Sequence, residues 1–381
     1  MNFLFYGKQY IDANDLKNVN IALKKNKLTT GPLVDNFEKS LNKYLGSKYS
    51  VACNSGTSAI YLAFKSIGLS KNDKIVMPAI NFIASYNAAK LLGAQVYLAD
   101  VDPENGIMRP QDVENCCKKF NLKKIKIILV MYHSGYPLNA EKFKKIKKKY
   151  KSYIVEDSCH AFGAQYIIKK KKYKIGCCKH SDISTFSFHP VKTITTGEGG
   201  AITTNSKKLY QRIKLLRSIG ILREKNHWEY DVKECSFNFR ISDIQCALGI
   251  SQIKKIKKFL FKRKKIIRNY FLAFKDNQNI SLVGHSPNYI SANHLCLLKL
   301  RNFNIKKKNL FFKYMLKRKI LMQFHYIPIY KFSVFEGKYH APNSEKYYNQ
   351  TVSIPIYYSL IKKEQNYVIK NVINFFNKYH L

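Results

Sequence analysis

A lysine and a serine stand where they could act on the same bound group. Lys192 follows an aromatic, strand-like run and precedes a loop rich in Thr and Gly, and Ser187 lies five residues before it. A lysine held in a dry pocket has a lowered pKa, as Schiff-base chemistry requires, and a nearby serine hydroxyl could reach a phosphate. Because lysine is abundant throughout this chain, the context of Lys192 carries the argument and the residue type alone does not.

A carboxylate follows another strand-like run. Asp157 comes shortly after residues 152–155, and His160 lies on the same segment. A carboxylate at a strand end can keep a cationic ring nitrogen protonated, which makes such a ring an electron sink. An ordinary helix cap would look the same, so Asp157 does not decide the function by itself.

Two further segments have residues suited to binding. In residues 54–59, Thr57 and Ser58 offer hydroxyl and N–H groups at a predicted helix N-terminus, where anions bind. Phe82 follows the next strand-like run and could stack on a planar ring. Taken singly, the first segment resembles a common Ser/Thr helix cap, and the second a core aromatic.

Strand-like and helix-like runs alternate over the first two-thirds of the chain. This alternation predicts an α/β fold with a mostly parallel sheet and helices on both faces. Such sheets bind ligands at the carboxyl ends of their strands, which is where the four segments above fall. The predicted strands cover residues 49–53, 74–77, 94–99, 125–131, 152–155 and 183–188, and the helices cover 58–67 and 84–92.

The pattern changes after about residue 250. Residues 253–274 have the periodicity of one long basic helix that could bridge two domains. A strand at 294–300 and helices at 307–318 and 368–376 follow. We predict a large domain at residues 1–250, which includes the N-terminal segment, and a smaller α+β domain at residues 251–381.

The net charge of +43 over 381 residues is the extreme feature of the composition. It raises the alternative of a nucleic-acid-binding protein, since Lys and Arg dominate phosphate contacts. The lysines are spread along the chain, however, and Ile, Asn, Tyr and Phe are abundant too, as AT-rich codons would produce. We therefore expect no nucleic-acid partner, although so large a charge favours anionic ligands.

Location and metal binding can also be addressed from the composition. No apolar run reaches the ~18 residues needed to cross a bilayer, and the N-terminus lacks the pattern of a signal peptide. We expect a cytoplasmic protein with no membrane partner. The nine cysteines form no CxxC pair, which predicts reduced thiols and no metal site.

In their order and joint presence, the four segments resemble the DegT/DnrJ/EryC1/StrS family. Its members are nucleotide-sugar aminotransferases that depend on pyridoxal 5′-phosphate (PLP) and share fold type I, the fold of aspartate aminotransferase. The resemblance covers nearly the whole chain and is not confined to the four segments. It is carried further by residues 28–38, 133–137, 217–220, 238–249 and 325–330.

The resemblance implies roles around the cofactor ring. Lys192 would carry PLP as a Schiff base and move the proton between the substrate carbon and the cofactor. Asp157 would face the pyridine nitrogen, His160 would lie beside the ring, and Phe82 would stack on it. Some family members replace the lysine by histidine and become dehydratases, and a silent PLP-binding regulator would lack Lys192 or Asp157. Both residues are present, which favours amino transfer.

The resemblance also implies how the phosphate is held. Thr57, Ser58 and Ser187 would bind it from the same chain. Asn238 would reach it from a neighbouring subunit, which implies a homodimer with shared active sites. The segment around Phe82 departs from the usual Thr-Phe-x-Ala-Thr pattern, because this chain has Asn and Ser at the outer positions. The departure puts fine hydrogen bonding in doubt, but not the stacking.

Within the family, the segments around Lys192 and Asn238 and residues 325–330 are most similar to members that act in pseudaminic acid biosynthesis. This similarity implies transfer of an amino group from L-glutamate to C4 of a UDP-4-keto-6-deoxy-N-acetylhexosamine. The product would be UDP-4-amino-4,6-dideoxy-N-acetyl-β-L-altrosamine. The alternative is another 4-keto-6-deoxy nucleotide sugar, as in perosamine or viosamine synthesis. Three residues are candidates for contacting the sugar or its diphosphate: Tyr6, His325 and Tyr326.

Overall fold

The computed structural model describes residues 2–137, 141–223, 226, 228–284 and 289–380. The strands of the described part are, in chain order, β1 Tyr49–Cys53, β2 Lys74–Pro78, β3 Gln95–Ala99, β4 Ile127–Met131, β5 Tyr153–Asp157, β6 Gln165–Ile168, β7 Lys171–Lys174, β8 Ile183–Ser187, β9 Gly200–Thr204, β10 Ile221–Arg223, β11 Tyr230–Val232, β12 Ile280–Leu282, β13 Tyr289–Ile290, β14 Cys296–Leu300 and β15 Thr351–Ile354. The α-helices are α1 Ala13–Leu23, α2 Pro32–Leu45, α3 Gly56–Ile67, α4 Ala84–Leu91, α5 Pro110–Lys119, α6 Phe143–Tyr150, α7 Lys207–Arg217, α8 Asp243–Lys254, α9 Ile256–Phe274, α10 Ile305–Leu316, α11 Pro342–Gln350 and α12 Lys362–Lys378. Among them no helix is both long enough and apolar enough to cross a bilayer.

The largest sheet has the strand order β1-β9-β8-β5-β4-β2-β3. β3, β2, β4, β5 and β8 run parallel, and β9 pairs antiparallel with both β8 and β1. All five residues of β4, Ile127–Met131, are buried, as expected for a central strand covered on both faces. The predicted α/β fold with a mostly parallel sheet is thus confirmed.

Apolar side chains fill both faces of this sheet. Ile128 of β4 belongs to one buried cluster together with Phe37 of α2. The next residue, Leu129, belongs to a second cluster together with Phe64 of α3. Successive side chains of a strand point to opposite faces, so β4 contributes to the cores on both sides.

A third apolar cluster lies in the C-terminal part of the chain. It contains Phe311 of α10, Phe375 of α12 and Val352 of β15. Leu4 joins the same cluster, because the N-terminal segment pairs with Ile320 through a short parallel bridge. The division of the chain near residue 250 into two domains stays a prediction.

The single helix predicted over residues 253–274 is wrong, since the chain forms α8 and α9 there with a break at Lys255. α8 begins at Ser242, whose side chain accepts the Gln245 N–H in a capping box. At the break, the Lys255 backbone N–H donates a hydrogen bond to the carbonyl of Gln252 at 3.0 Å. The Lys255 ammonium is held by the carboxylates of Asp12 and Asp15, so tertiary contacts end α8 where the local apolar periodicity continues.

Candidate active site

The carboxyl ends of β1, β2, β5 and β8 surround a cavity of about 510 Å³. These strands point the same way, so the loops that follow them meet at one edge of the sheet. The cavity brings together most of the residues singled out in the sequence. They are Tyr6, Thr57, Phe82, Asp157, His160, Ser187, Lys192, His325 and Tyr326.

The N-terminus of α3 forms one end of the cavity. Ser55 caps the helix and accepts the Ser58 N–H at 3.0 Å, while the hydroxyls of these two serines lie 2.8 Å apart. Ser58 is buried and does not line the cavity, whereas Thr57 is exposed and does. The helix end therefore presents Thr57 and backbone N–H groups to an anion, and Ser58 is occupied by the cap.

Ser187, the last residue of β8, faces the same helix end. A Cβ atom at Gly56 would lie 2.6 Å from the Ser187 Cβ, closer than carbon atoms approach. Only glycine therefore lets α3 begin so near β8. This close approach brings the Ser187 hydroxyl and the first turn of α3 to one side of the cavity, where together they can bind a phosphate.

Asp157 ends β5 and is only 2% exposed. Its carboxylate accepts the Cys159 N–H at 3.2 Å and the Ser85 hydroxyl at 3.3 Å. Ser85 in turn accepts an amide N–H of Asn81 at 3.2 Å. In the part of the chain that the structure describes, no ion pair involves Asp157. A cationic ring nitrogen in the cavity would supply the missing counter-charge.

Lys192 reaches the cavity from the loop after β8 and is half-buried. Burial lowers the pKa of its amine, while attraction to Cys159 and Asp157 opposes the shift. Its backbone N–H is fixed by the His189 carbonyl at 2.9 Å. A lysine with a lowered pKa has more of the neutral amine, which is the form that attacks a carbonyl carbon.

His160 is held in one tautomer beside Tyr326. Burial, followed by the charge of Lys192, lowers the pKa of His160 well below its usual value, so the ring is neutral. Its Nδ1 accepts the Ser134 N–H at 3.3 Å, so the ring proton sits on Nε2 and is donated to the Tyr326 hydroxyl at 2.8 Å. The Tyr326 hydroxyl proton is then left to donate elsewhere.

Aromatic and imidazole rings form the side of the cavity away from α3. The ring centroids of Tyr6 and His325 are 5.2 Å apart, and His325 Nδ1 lies 2.7 Å from the Ser353 hydroxyl. Phe82 is 52% exposed, and its ring centroid is 5.8 Å from that of Tyr326. An exposed phenyl ring at a cavity is free to stack on a planar ligand, which a core aromatic is not.

Asn238 lies outside this cavity. It is exposed, and its side-chain oxygen accepts the Arg240 N–H at 3.2 Å. Its backbone bridges Ser218, and its carbonyl accepts the side-chain amide of Asn54 at 3.4 Å. Asn238 therefore lies beside the segment that leads into α3, although it does not line the cavity of its own chain.

Several residues of the cavity were missed in the sequence analysis. Ser85 and Asn81 had been noted only as departures from a family pattern, yet they form the hydrogen-bonded chain to Asp157. Their spacing of four residues around Phe82 was the available signal, since residues four apart at a helix start face the same side. His294 and Phe324 also line the cavity, and nothing local in the sequence marks them.

These residues fit PLP. The α3 terminus and Ser187 offer donors for its phosphate, the buried and unpaired carboxylate of Asp157 suits a cationic ring nitrogen, and Lys192 suits its aldehyde. Phe82 offers a ring face on which the pyridine can stack. A metal site has no comparable support, because the described residues contain no cluster of three or more His, Cys, Asp or Glu side chains suited to a metal ion.

The fold and this arrangement define a class of enzyme, the PLP-dependent aminotransferases. The chain belongs to the DegT/DnrJ/EryC1/StrS aminotransferase family, whose pattern matches residues 9–373. Its cofactor is pyridoxal 5′-phosphate. The predictions of family, cofactor and reaction class are therefore confirmed.

Individual relatives match over nearly the full chain. The UDP-4-amino-4,6-dideoxy-N-acetyl-beta-L-altrosamine transaminase of Campylobacter jejuni is 35% identical over 377 residues, which are 98% of this chain and 97% of that protein. The structure of Helicobacter pylori PseC, an aminotransferase involved in the biosynthesis of pseudoaminic acid, is similar with a TM-score of 0.91 and 30% identity, covering 99% of this chain and 100% of that one. The GDP-perosamine synthase of Escherichia coli O157:H7 is 28% identical over 348 residues, 91% of each chain.

Proposed function

We propose that this aminotransferase moves an amino group from L-glutamate to C4 of a UDP-4-keto-6-deoxy-N-acetylhexosamine. The products are 2-oxoglutarate and UDP-4-amino-4,6-dideoxy-N-acetyl-β-L-altrosamine, for pseudaminic acid biosynthesis. The observation that carries the proposal is a cavity containing both Lys192 and Asp157 in a chain that is similar over nearly its full length to altrosamine transaminases.

Lys192 is the proposed proton carrier. PLP, when bound, supplies a cationic ring that withdraws electrons from the substrate carbon that loses or gains a proton. Lys192 Nζ takes the proton from Cα of glutamate and delivers a proton to C4 of the sugar. Burial lowers the pKa of this amine, which increases the fraction of the neutral form that can accept a proton.

The remaining cofactor contacts have separate tasks. Asp157 would face the ring nitrogen with a carboxylate that also accepts the Ser85 hydroxyl and the Cys159 N–H. Phe82 covers one face of the ring and His160 lies beside it. The phosphate would be held by Thr57, by the N-terminus of α3, where Ser58 lies in the first turn, and by the Ser187 hydroxyl.

The nucleotide sugar is proposed to bind against Tyr6, His325 and Tyr326. These side chains offer hydroxyl and imidazole groups at the wall of the cavity. A site with polar contacts discriminates strongly against sugars that leave those groups unpaired. The net charge of +43 creates a field that attracts a diphosphate.

We also propose a homodimer with shared active sites. A second copy of the chain would cover an exposed apolar surface on and beside the β10–β11 hairpin and bring its Asn238 to the phosphate. Tyr230 and Val232 share one face of β11 and are 60% and 51% exposed, while Leu222 lies on the other face of the pair and is 46% exposed. Phe237, which follows β11 in the chain, is 67% exposed. Patches of this kind on soluble proteins mark interaction sites. Because UDP-sugars and glutamate are cytoplasmic metabolites, we propose that the dimer works in the cytoplasm.

A second candidate substrate is the 4-keto-6-deoxy sugar of perosamine-type synthesis, favoured by the similarity to GDP-perosamine synthase. In a coupled assay of 2-oxoglutarate release, the proposal predicts a higher kcat/KM for the UDP-4-keto-6-deoxy-N-acetylhexosamine than for a GDP-4-keto-6-deoxy sugar, and the reverse order would favour the second candidate. We expect kcat/KM to be highest for the L-arabino 4-keto UDP-sugar, far lower for its unepimerised D-xylo counterpart, and lower still for a 4-keto TDP-glucose. A preference for either of the other sugars would reject the altrosamine product and leave the aminotransferase class intact.

A further inference from the structure

A lysine is completely buried behind the wall of the proposed sugar site. Lys308, in the first turn of α10, has 0% exposure. Its ammonium donates to the backbone carbonyl of Tyr348, and Nζ lies 3.7 Å from the centroid of the Tyr348 ring and 4.3 Å from that of Phe324. These two rings hold the buried charge by cation–π contact.

No carboxylate pairs with Lys308 in the described part of the chain. Glu345, one turn before Tyr348 on α11, already binds the Lys331 ammonium at 2.9 Å and accepts the Tyr330 hydroxyl at 3.0 Å. Burial lowers the pKa of Lys308 to about 7, and the charge of Lys331 adds to the shift. A methionine would fill similar space without burying a charge, so stability alone does not account for a lysine here.

The Phe324 ring connects Lys308 to the cavity. Phe324 lines the cavity and directly precedes His325 and Tyr326, which line it too. The ring also packs on Phe312, at 4.3 Å between centroids. Lys308 and Phe312 thus support the ring of a cavity-lining residue from α10.

We propose that Lys308 is a positioning residue for sugar recognition, because its buried ammonium fixes the Phe324 ring as part of the wall that contacts the nucleotide sugar. This inference rests on the proposed function, since it assumes that the sugar binds at this wall. The ammonium touches neither substrate nor cofactor, and it acts through the aromatic ring. Removing the charge therefore weakens sugar binding and spares the reaction with glutamate.

The test compares Lys308→Met with Lys306→Met, which changes an exposed lysine of the same helix. For Lys308→Met we expect the KM for the UDP-4-keto sugar to rise about tenfold, with kcat changed by less than about twofold, as loss of a desolvated cation–π contact predicts. Release of 2-oxoglutarate from glutamate in the absence of sugar should stay at the wild-type rate. The melting temperature should be equal or higher. Lys306→Met should match wild type in every measurement.

A double-mutant cycle links the effect to the ring. Phe324→Leu should raise the same KM, and Lys308→Met should add little in that background, because the two residues act as one unit. An unchanged sugar KM in Lys308→Met, or equal losses in both half-reactions with a lower melting temperature, would overturn the inference. Should Lys308→Met not fold, an unchanged sugar KM in Phe324→Leu would overturn it. A wild-type enzyme that aminates no UDP-sugar would reject the proposed function first.

Discussion

Lowering the pH should reduce the free energy of unfolding of this protein, and one buried histidine should account for a measurable part of the loss. His133 follows β4 and is 1% exposed. Its Nε2 lies 2.7 Å from the Tyr347 hydroxyl, which itself donates to the His325 carbonyl at 3.2 Å. Nε2 must therefore carry the ring proton, while Nδ1 has no hydrogen-bond partner among the residues that the structure describes. Burial lowers the pKa of His133 from 6.5 to about 3.

The sign and size of the effect follow from these two pKa values. Above pH 6.5 the histidine is neutral in both the folded and the unfolded chain, and its contribution to stability is complete. Below pH 6.5 the unfolded chain takes up a proton that the folded chain accepts only near pH 3. The free energy of unfolding therefore falls by about 1.4 kcal/mol per pH unit, or roughly 2.7 kcal/mol over two units, from His133 alone.

Urea unfolding of the PLP-loaded protein between about pH 7 and about pH 4.5 measures this loss, with His133→Gln as the comparison. The glutamine amide can still donate to Tyr347 but does not titrate. Other groups contribute to the pH dependence of both proteins and cancel in the difference. We expect the wild-type slope below pH 6.5 to exceed that of His133→Gln by about 1.4 kcal/mol per pH unit. Parallel pH profiles would refute a neutral, buried His133.

Three further predictions concern the cofactor site. Asp157→Asn should retain some PLP but lower the rate of amine transfer by orders of magnitude, measured as 2-oxoglutarate release; a near-normal kcat would reject the role of the carboxylate. Gly56→Ala should displace α3 from Ser187 and weaken PLP affinity about tenfold or more in dialysis experiments, because a Cβ has no room there; unchanged affinity would count against this phosphate site. Mixing inactive Lys192→Ala and Asn238→Ala subunits should restore partial activity, and no recovery despite demonstrated subunit exchange would argue against shared sites.

The sequence was most informative where the chain is buried on both sides. β1 occupies the predicted residues 49–53, and β5 and β8 lie within two residues of their predicted ends. Four of the five residues of each of these strands are buried. Those strand ends in turn bring Asp157 and Ser187 to one edge. The break between α8 and α9 could not be predicted, since it depends on contacts of Lys255 with Asp12 and Asp15, some 240 positions away in the chain.

The finer contacts of the site likewise depend on the folded chain. For residues 54–59 the sequence offered both a helix cap and a phosphate site, and the structure shows that Ser55 is the cap, with its hydroxyl 2.8 Å from that of Ser58. The hydrogen bond from Ser85 to Asp157 joins residues 72 positions apart. The burial of Lys308 depends on Phe324 and Tyr348, and in a chain so rich in lysine nothing in the sequence sets this one apart.

The most direct test of the account is to locate the covalent attachment of the cofactor. The chain has 58 lysines, so attachment to one of them is a demanding prediction. The PLP-loaded protein is reduced with borohydride, digested, and mapped by mass spectrometry. The account predicts a pyridoxyl group on Lys192, and no transfer of amine from glutamate by Lys192→Ala. A pyridoxyl group on any other lysine, or normal turnover by Lys192→Ala, would contradict it.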